Sequence, residues 1–286
     1  MNRYRIRHAY TVMFLLGFWL AGCEESPIGT STIDPGSFTA IQGRVRLDVE
    51  DDPAGVYIWL EGTPISTYTD QTGRFTIQLS SVAGTDLPMA GAFRLFFFLA
   101  NYRLEYASIL IRNGQFLYKN GDVDAQGRVT RPKTLRKTLQ VKVSVSPDSI
   151  AQHVQQNIRI RLSLAATDDS VTVIFPKMAG NFLGAVLFHH LETDSVYSEI
   201  SDIDLQNAIT QKIGQEEQHW TVDFEYFPGM FPTGRYRVIP YFIIRQDSLP
   251  GGLLESIDPQ VEQFGPAYIK YPIKRREAVL VIRPGQ

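Results

Sequence analysis

Period-two alternation of apolar and polar residues dominates the chain from Phe38 onward. Gly43-Arg44-Val45-Arg46-Leu47-Asp48-Val49 alternates, and so does Arg74-Phe75-Thr76-Ile77-Gln78-Leu79. Ile158, Ile160, Leu162 and Leu164 interleave with Arg159, Arg161 and Ser163; Trp220, Val222, Phe224 and Tyr226 interleave with Thr221, Asp223 and Glu225; Tyr236 and Val238 follow the same rule. Successive side chains of a strand point to opposite faces, so the pattern gives each strand one core face and one wet face. Many short strands separated by Gly, Pro and Asp predict an all-β chain built as sandwiches or a barrel.

Three stretches depart from alternation. Gly55–Leu60 (GVYIWL) and Phe93–Leu99 (FRLFFFL) are apolar on both faces, which predicts central strands or strands covered by a neighbouring domain. Within the second, Phe96-Phe97-Phe98 must turn at least one ring away from its own sheet's core, toward an interdomain contact or a partner. Ala278–Ile282 (AVLVI) reads as a buried terminal strand. One helical signal competes: Leu205, Ala208, Ile209 and Ile213 share a helix face, Asp202 can cap it and Gly214 can end it, although a strand over Ala208–Ile213 fits the same residues.

The first thirty residues address the compartment. Arg3, Arg5 and Arg7 precede TVMFLLGFWL (residues 11–20), and small Ala21 and Gly22 then lead to Cys23, the chain's only cysteine. Charge, a short apolar core and small residues make an export signal. The apolar run is too short for a bilayer-spanning helix, which takes about 20 residues. LAGC also resembles the bacterial lipobox. That resemblance implies a diacylglycerol on the Cys23 sulfur, cleavage between Gly22 and Cys23, and acylation of the new amine. Several acyl chains on one residue hold a protein stably, whereas one does so only marginally. An ordinary signal peptide with an incidental cysteine, and an uncleaved anchor, are the competing readings. Glu24 stands where an aspartate often retains such proteins at the inner membrane, so the expected address is the cell envelope at the outer membrane.

With residues 1–22 removed, 264 residues stay, and 25 Lys and Arg face 30 Asp and Glu, a formal charge of −5. That balance gives no basic field and argues against a nucleic-acid partner. A lone cysteine forms no intrachain disulfide. Residues 24–37 (EESPIGTSTIDPGS) read as a flexible tether after lipidated Cys23. The length predicts two domains. LQVKVSVSP ends at Pro147 and the polar stretch DSIAQHVQQ follows, so the expected division is 38–146 and 147–286.

Two turns share D-x-x-G-R-apolar: Asp70-Gln-Thr-Gly73-Arg74-Phe75 and Asp124-Ala-Gln-Gly127-Arg128-Val129. The aspartate supplies a turn carboxylate and the glycine a positive φ. The first lies inside residues 41–79, with G-x-V at Gly43–Val45, P-A-G-V at Pro53–Val56, L-E-G-T at Leu60–Thr63 and T-D-x-x-G-R-F at Thr69–Phe75. This segment resembles the carboxypeptidase regulatory-like domain, a transthyretin-like β-sandwich. Ala92–Gln115 resembles that family's later strands, with Asn101-Tyr102 where Gly-Tyr is common. The resemblance implies a fold and no chemistry, since the matching positions are turns and core. In the second half, W-x-V-x-F at Trp220–Phe224 and T-G-R-Y-R-V at Thr233–Val238 resemble late strands of immunoglobulin-like sandwiches, with a looser likeness to proteinase-inhibitor modules.

Candidate chemistry is sparse. His189-His190-Leu191-Glu192 contains H-x-x-E, a zinc-ligand spacing, but a catalytic site needs a third ligand and the next histidine is His219. Asn120–Gly127 resembles the start of a calcium loop, yet position twelve is Lys133 rather than a bidentate acid. Glu50-Asp51-Asp52 is a charged loop tip, and Lys270, Lys274, Arg275 and Arg276 form a basic cluster that either meets an anionic surface or guards the terminal strand. Trp59 and Trp220 sit in alternating strands and read as core. Phosphate-binding loops, dinucleotide fingerprints and G-x-S-x-G are absent from the sequence. The expectation is a non-enzymatic envelope protein without cofactor or metal. It meets the membrane through lipid on Cys23 and binds an envelope protein or glycan. The alternatives are specific glycan or protein-ligand binding, including protease inhibition, and a metal-dependent hydrolase using His189 and Glu192.

Overall fold

The computed structural model describes residues 40–49, 51–79, 90–112, 115–117, 121–177, 183–200 and 204–285. Cys23, the tether, Glu50 and Asn120 lie outside these residues. The first half carries β1 (Ala40–Leu47), β2 (Tyr57–Leu60), β3 (Ser66–Tyr68), β4 (Arg74–Gln78), β5 (Gly91–Phe98), β6 (Glu105–Arg112), β7 (Gln115–Phe116) and β8 (Lys133–Leu135). These make two sheets, ordered β4-β1-β8 and β3-β2-β5-β6-β7. Ile41, Val45, Phe75 and Ile77 of the first sheet share a core with Ile58, Leu60, Leu95 and Phe97 of the second. Two sheets closing on one apolar layer is a β-sandwich.

The second half carries β9 (Leu139–Ser146), β10 (Ser149–Ala151), β11 (Gln156–Ala166), β12 (Val171–Lys177), β13 (Ala185–His190), β14 (Val196–Ile200), β15 (Asp204–Ile213), β16 (Gln218–Tyr226), β17 (Gly234–Pro240), β18 (Ile243–Ile244), a short helix α1 (Leu253–Ile257), a 3₁₀ turn (Pro266–Lys270) and β19 (Ala278–Arg283). Its sheets are ordered β16-β11-β9, β10-β19-β17-β13-β14 and β15-β12-β18. The alternating residues of β11 and β16 behave as their pattern requires. Ile158, Ile160, Leu162, Trp220, Val222 and Phe224 are all buried, while Arg159 and Asp223 form a bidentate pair on the outer face. No helix among the described residues is long and apolar enough to cross a membrane.

The two apolar stretches occupy one sheet with both faces covered. Ile58, Leu60, Leu95 and Phe97 point into the first core. Tyr57, Trp59, Phe96 and Phe98 point the other way and join the core of the second half. The sheet β3-β2-β5-β6-β7 is therefore a shared layer. Each fully buried phenylalanine there contributes about 1.5–3 kcal/mol of apolar burial. This joins the two sandwiches into one unit running from Phe38 to Gln286.

Two details differ from the sequence expectations. The segment Leu205–Ile213 is strand, paired antiparallel with β12 from Val171↔Ile213 onward. Of its apolar positions Ile213 is buried, but Ala208 and Ile209 are exposed, so no continuous helix face has a core to meet. The register with β-branched β12 prevails over local spacing. In addition, β9 pairs with β11, with Leu139↔Ala166 and Val143↔Leu162. The change of sheet thus falls at Arg136–Thr138, ahead of Pro147. The polar residues after Pro147 carry β10 and lead into β11.

Candidate functional site

Between the 3₁₀ turn and β19, residues 271–277 run as a strap along the edge of β9. The backbone holds it at both ends: Ala100 N donates to Pro272 O at 2.7 Å, Arg276 N donates to Val141 O at 2.9 Å, and Val143 N donates to Arg276 O at 2.9 Å. Tyr271 is buried toward the second core. The basic residues Lys270, Lys274, Arg275 and Arg276 line a groove of about 970 Å³ together with Asp51, Asp52, Ala54, Gly55, Lys137 and Lys142.

Most charges in this groove are matched. Lys137 pairs with Asp51, and the Tyr102 hydroxyl donates to the same carboxylate at 2.5 Å. Burial acts to raise the pKa of Asp51. The hydrogen bonds from Lys137 and Tyr102 and the charges of Lys137 and Lys274 outweigh it, so the carboxyl titrates below its ordinary value. Lys274 Nζ lies 4.0 Å from Asp52, Lys270 is paired with Asp258 at 2.8 Å, Lys142 with Glu217 at 2.8 Å, and Arg237 with Glu277 at 3.0 Å.

Arg275 and Arg276 differ. Neither has an ion pair among the described residues. The Arg275 side chain is half-buried, and its Nε and Nη1, like Arg237 Nε, are shut off from solvent with no hydrogen-bond acceptor among the described residues. Burial draws the Arg275 pKa below the usual arginine value and nearby Arg237 adds to this, against Tyr268 and Glu277. Burying a guanidinium without a partner costs several kcal/mol. Nε and Nη1 lie on different edges of the guanidinium, so the two donors point apart.

The other singled-out residues have local partners. His189 Nε2 meets Asp194 Oδ1 at 2.5 Å. His190, on the opposite face of β13, is buried. Its Nδ1 accepts from Glu192 N and Thr193 N, each at 3.2 Å, and its Nε2 faces Thr233 O at 3.2 Å, which fixes the tautomer with the proton on Nε2. Glu192 pairs with Arg235 at 2.9 Å. That hydrogen bond draws its pKa down. The H-x-x-E residues thus have separate partners, and the structure does not bring His189 and Glu192 together. Among the described residues no three His, Cys, Asp or Glu side chains gather as a metal group.

The calcium-like segment is a turn. Asp124 Oδ1 accepts from Gln126 N at 2.9 Å and Arg128 N at 2.8 Å, and Lys133 lies 3.3 Å from Asp122. The matching turn at Asp70 accepts from Thr72 N and Arg74 N in the same way. Both turns dock on β1: Val45 N donates to Gly73 O at 2.8 Å and Gln42 N donates to Gly127 O at 3.0 Å. Trp59 and Trp220 are core, Trp59 donating its indole N–H to Thr63 O and Trp220 stacking on Phe175. Sequence reasoning found the basic cluster but not Lys142, Arg237 or Asn101, which the fold brings from distant strands. A polar Asn101 following FFFLA was the one available signal.

No family model matches the chain, and no curated protein matches it. Among solved structures, the alkylpurine DNA glycosylase AlkC of Pseudomonas fluorescens, bound to DNA containing an abasic-site analogue, is 11% identical with a TM-score of 0.24, over 37% of this chain and 27% of that one. BcpA, the major pilin subunit of Bacillus cereus, is 12% identical with a TM-score of 0.24, over 70% of this chain and 63% of that one. The chain spans less than two thirds of either, and likenesses at this level carry no functional argument.

Proposed function

We propose that this chain is a lipid-anchored protein of the cell envelope that acts by contact, as a binding or assembly accessory held at the outer membrane through Cys23. The sandwich of β1 to β8 is read as carboxypeptidase regulatory-like and that of β9 to β19 as immunoglobulin-like. The observation that carries the contact reading is the open groove beneath the strap, formed where the two sandwiches meet and lined by Arg275 and Arg276, which make no ion pair among the described residues. Grooves at such seams are common ligand sites. The separate partners of His189 and Glu192 weigh against the hydrolase alternative. The anchor rests on the LAGC segment.

The test is cross-linking in intact envelopes followed by identification of the captured molecules, with a Cys23→Ser variant alongside. The wild-type protein is expected in the membrane fraction with a reproducible partner, and the variant in the soluble fraction. Equal fractionation of the two would remove the anchor. An empty capture together with robust turnover of any substrate would remove the contact role.

A further inference from the structure

We infer that the tip of the β13–β14 hairpin, residues 191–195, is a proton-operated latch: uncharged His190 holds it closed, and a proton taken up on Nδ1 opens it and moves the Glu192 carboxylate from Arg235 to His190.

This latch lies apart from the groove and does not depend on the contact function. His190 is buried, and both of its ring nitrogens are in use. Nε2 donates to Thr233 O, and Nδ1 accepts from Glu192 N and Thr193 N, each at 3.2 Å. An imidazole nitrogen that gains a proton turns from acceptor to donor, so the charged ring sets a third N–H against those two. Histidine makes this change within reach of about pH 5–8. Either the ring or the tip must then yield. The ring is held. His190 pairs with Tyr236 in the β13–β17 ladder, and its ring packs edge-on against Tyr236 with centroids 4.7 Å apart. The Gly234 backbone passes so close that a Cβ there would lie 2.4 Å from Nε2. The tip is exposed from Glu192 to Ser195. Exposed backbone hydrogen bonds open at low cost, and the tip is the part that moves.

The charged state has a ready acceptor. Glu192 Oε2 lies 3.3 Å from His190 Nδ1 and accepts from Arg235 N at 3.1 Å, while Oε1 accepts from Arg235 Nε at 2.9 Å. The hydrogen bond from Arg235 holds the Glu192 carboxyl below its ordinary pKa, so it is ionised throughout the range in which histidine titrates. Burial pushes the Tyr236 hydroxyl up, and that ring faces His190 uncharged. From β14, Tyr197 reaches this corner through the Tyr236 ring, edge-on with centroids 5.9 Å apart. His189 turns to the opposite face, where it meets Asp194; a proton there tightens that pair. The Glu192 carboxylate is therefore shared between two states, with Arg235 when His190 is neutral and with His190 when it is charged. Opening releases the Arg235 guanidinium at the surface.

The experiment is amide hydrogen exchange on the whole protein at about pH 7.5 and about pH 5, corrected for the intrinsic pH dependence of exchange, with the Nδ1 resonance of His190 followed over the same range. The amides of Glu192, Thr193 and Asp194 are expected to exchange about tenfold or more faster at the lower pH, in step with protonation of Nδ1, while those of β11 keep their protection. Glu192→Gln, at an exposed position, keeps the size and removes the charge, and should move the opening about one pH unit lower. His189→Asn should leave its midpoint in place, and His190→Gln should abolish the response. Should that buried change prevent folding, the Nδ1 resonance and Glu192→Gln decide. Exchange indifferent to pH, a tip that opens while Nδ1 stays unprotonated, an unshifted midpoint in Glu192→Gln, or loss of the response in His189→Asn would each overturn the inference.

Discussion

The side-chain amide of Asn101 clasps both backbone groups of Lys274: Nδ2 donates to Lys274 O at 2.7 Å, and Lys274 N donates to Oδ1 at 2.9 Å. The second Nδ2 hydrogen goes to Leu139 O at 3.0 Å. Asn101 is fully buried, so it ties β5's exit, the start of β9 and the strap into one junction. Asn101→Ala would leave one backbone donor and two acceptors without their partner. A loss of about 3 kcal/mol is expected, since each unsatisfied buried group costs about 1–3 kcal/mol. Urea denaturation measures it, and amide exchange should show Lys274 losing protection first. A loss under about 1 kcal/mol would mean the strap holds without the clasp.

Phe97 and Phe98 are neighbours in the chain and members of different cores. Truncating either to alanine should cost about 3–5 kcal/mol. The location of the damage should differ. Phe97→Ala is expected to speed amide exchange in β1 and β4, and Phe98→Ala in the strands of the second sandwich. If both variants loosened the same strands, the shared-sheet arrangement would be wrong.

The all-β class was legible because burial on one face of a sheet imposes period two, and β11 and β16 obey it apart from Ser163, which is buried on the polar face. The two-faced sheet was legible for the same reason: GVYIWL and FRLFFFL leave no polar face to turn to water. The groove was legible only in its strap half. Lys270 to Arg276 lie together in sequence, whereas Lys142, Arg237 and Asp51 reach the groove through long-range pairing that no local pattern encodes. Leu205–Ile213 misleads because an apolar residue at every third or fourth position suits a helix face and, in part, an edge of alternation. The pairing partner β12 decided between them. The position of β9 was hidden because a strand's alternation says that it has a core and not which one.

The two D-x-x-G-R turns should tolerate alanine far worse than a turn in open space. Gly73 and Gly127 have φ of 74° and 77°. A Cβ at Gly73 would lie 2.2 Å from Val45 O, and one at Gly127 would lie 2.4 Å from Ala40 O. Gly55, with φ of 74°, would place its Cβ in open space. Gly55→Ala should cost about 1 kcal/mol from backbone conformation alone. Gly73→Ala and Gly127→Ala should each exceed about 2 kcal/mol, because β1 must also move. Denaturation midpoints of the three variants test this, and equal losses would show that the docking on β1 contributes nothing.

The Asp51 carboxylate should make stability depend on acid in a stated direction. Its folded pKa lies below the ordinary value of 3.8. Such a group contributes stability that is fully present above the unfolded pKa and is lost as pH falls through the folded one. Lys137, Tyr102 and Lys274 face it and favour its charged form. Asp51→Asn keeps the shape and one acceptor but removes the charge. Wild type should therefore be more stable than the variant near pH 7, with the gap constant down to about pH 5 and closing below about pH 4. Urea midpoints of both proteins across that range measure the gap. Raised salt should narrow it only modestly, because two thirds of the Asp51 side chain is shielded from solvent, with 33% of it exposed. A gap that persisted unchanged at the acid end would mean that Asp51 acts through shape and hydrogen bonding to Tyr102, and that its charge does not hold the loop against Lys137.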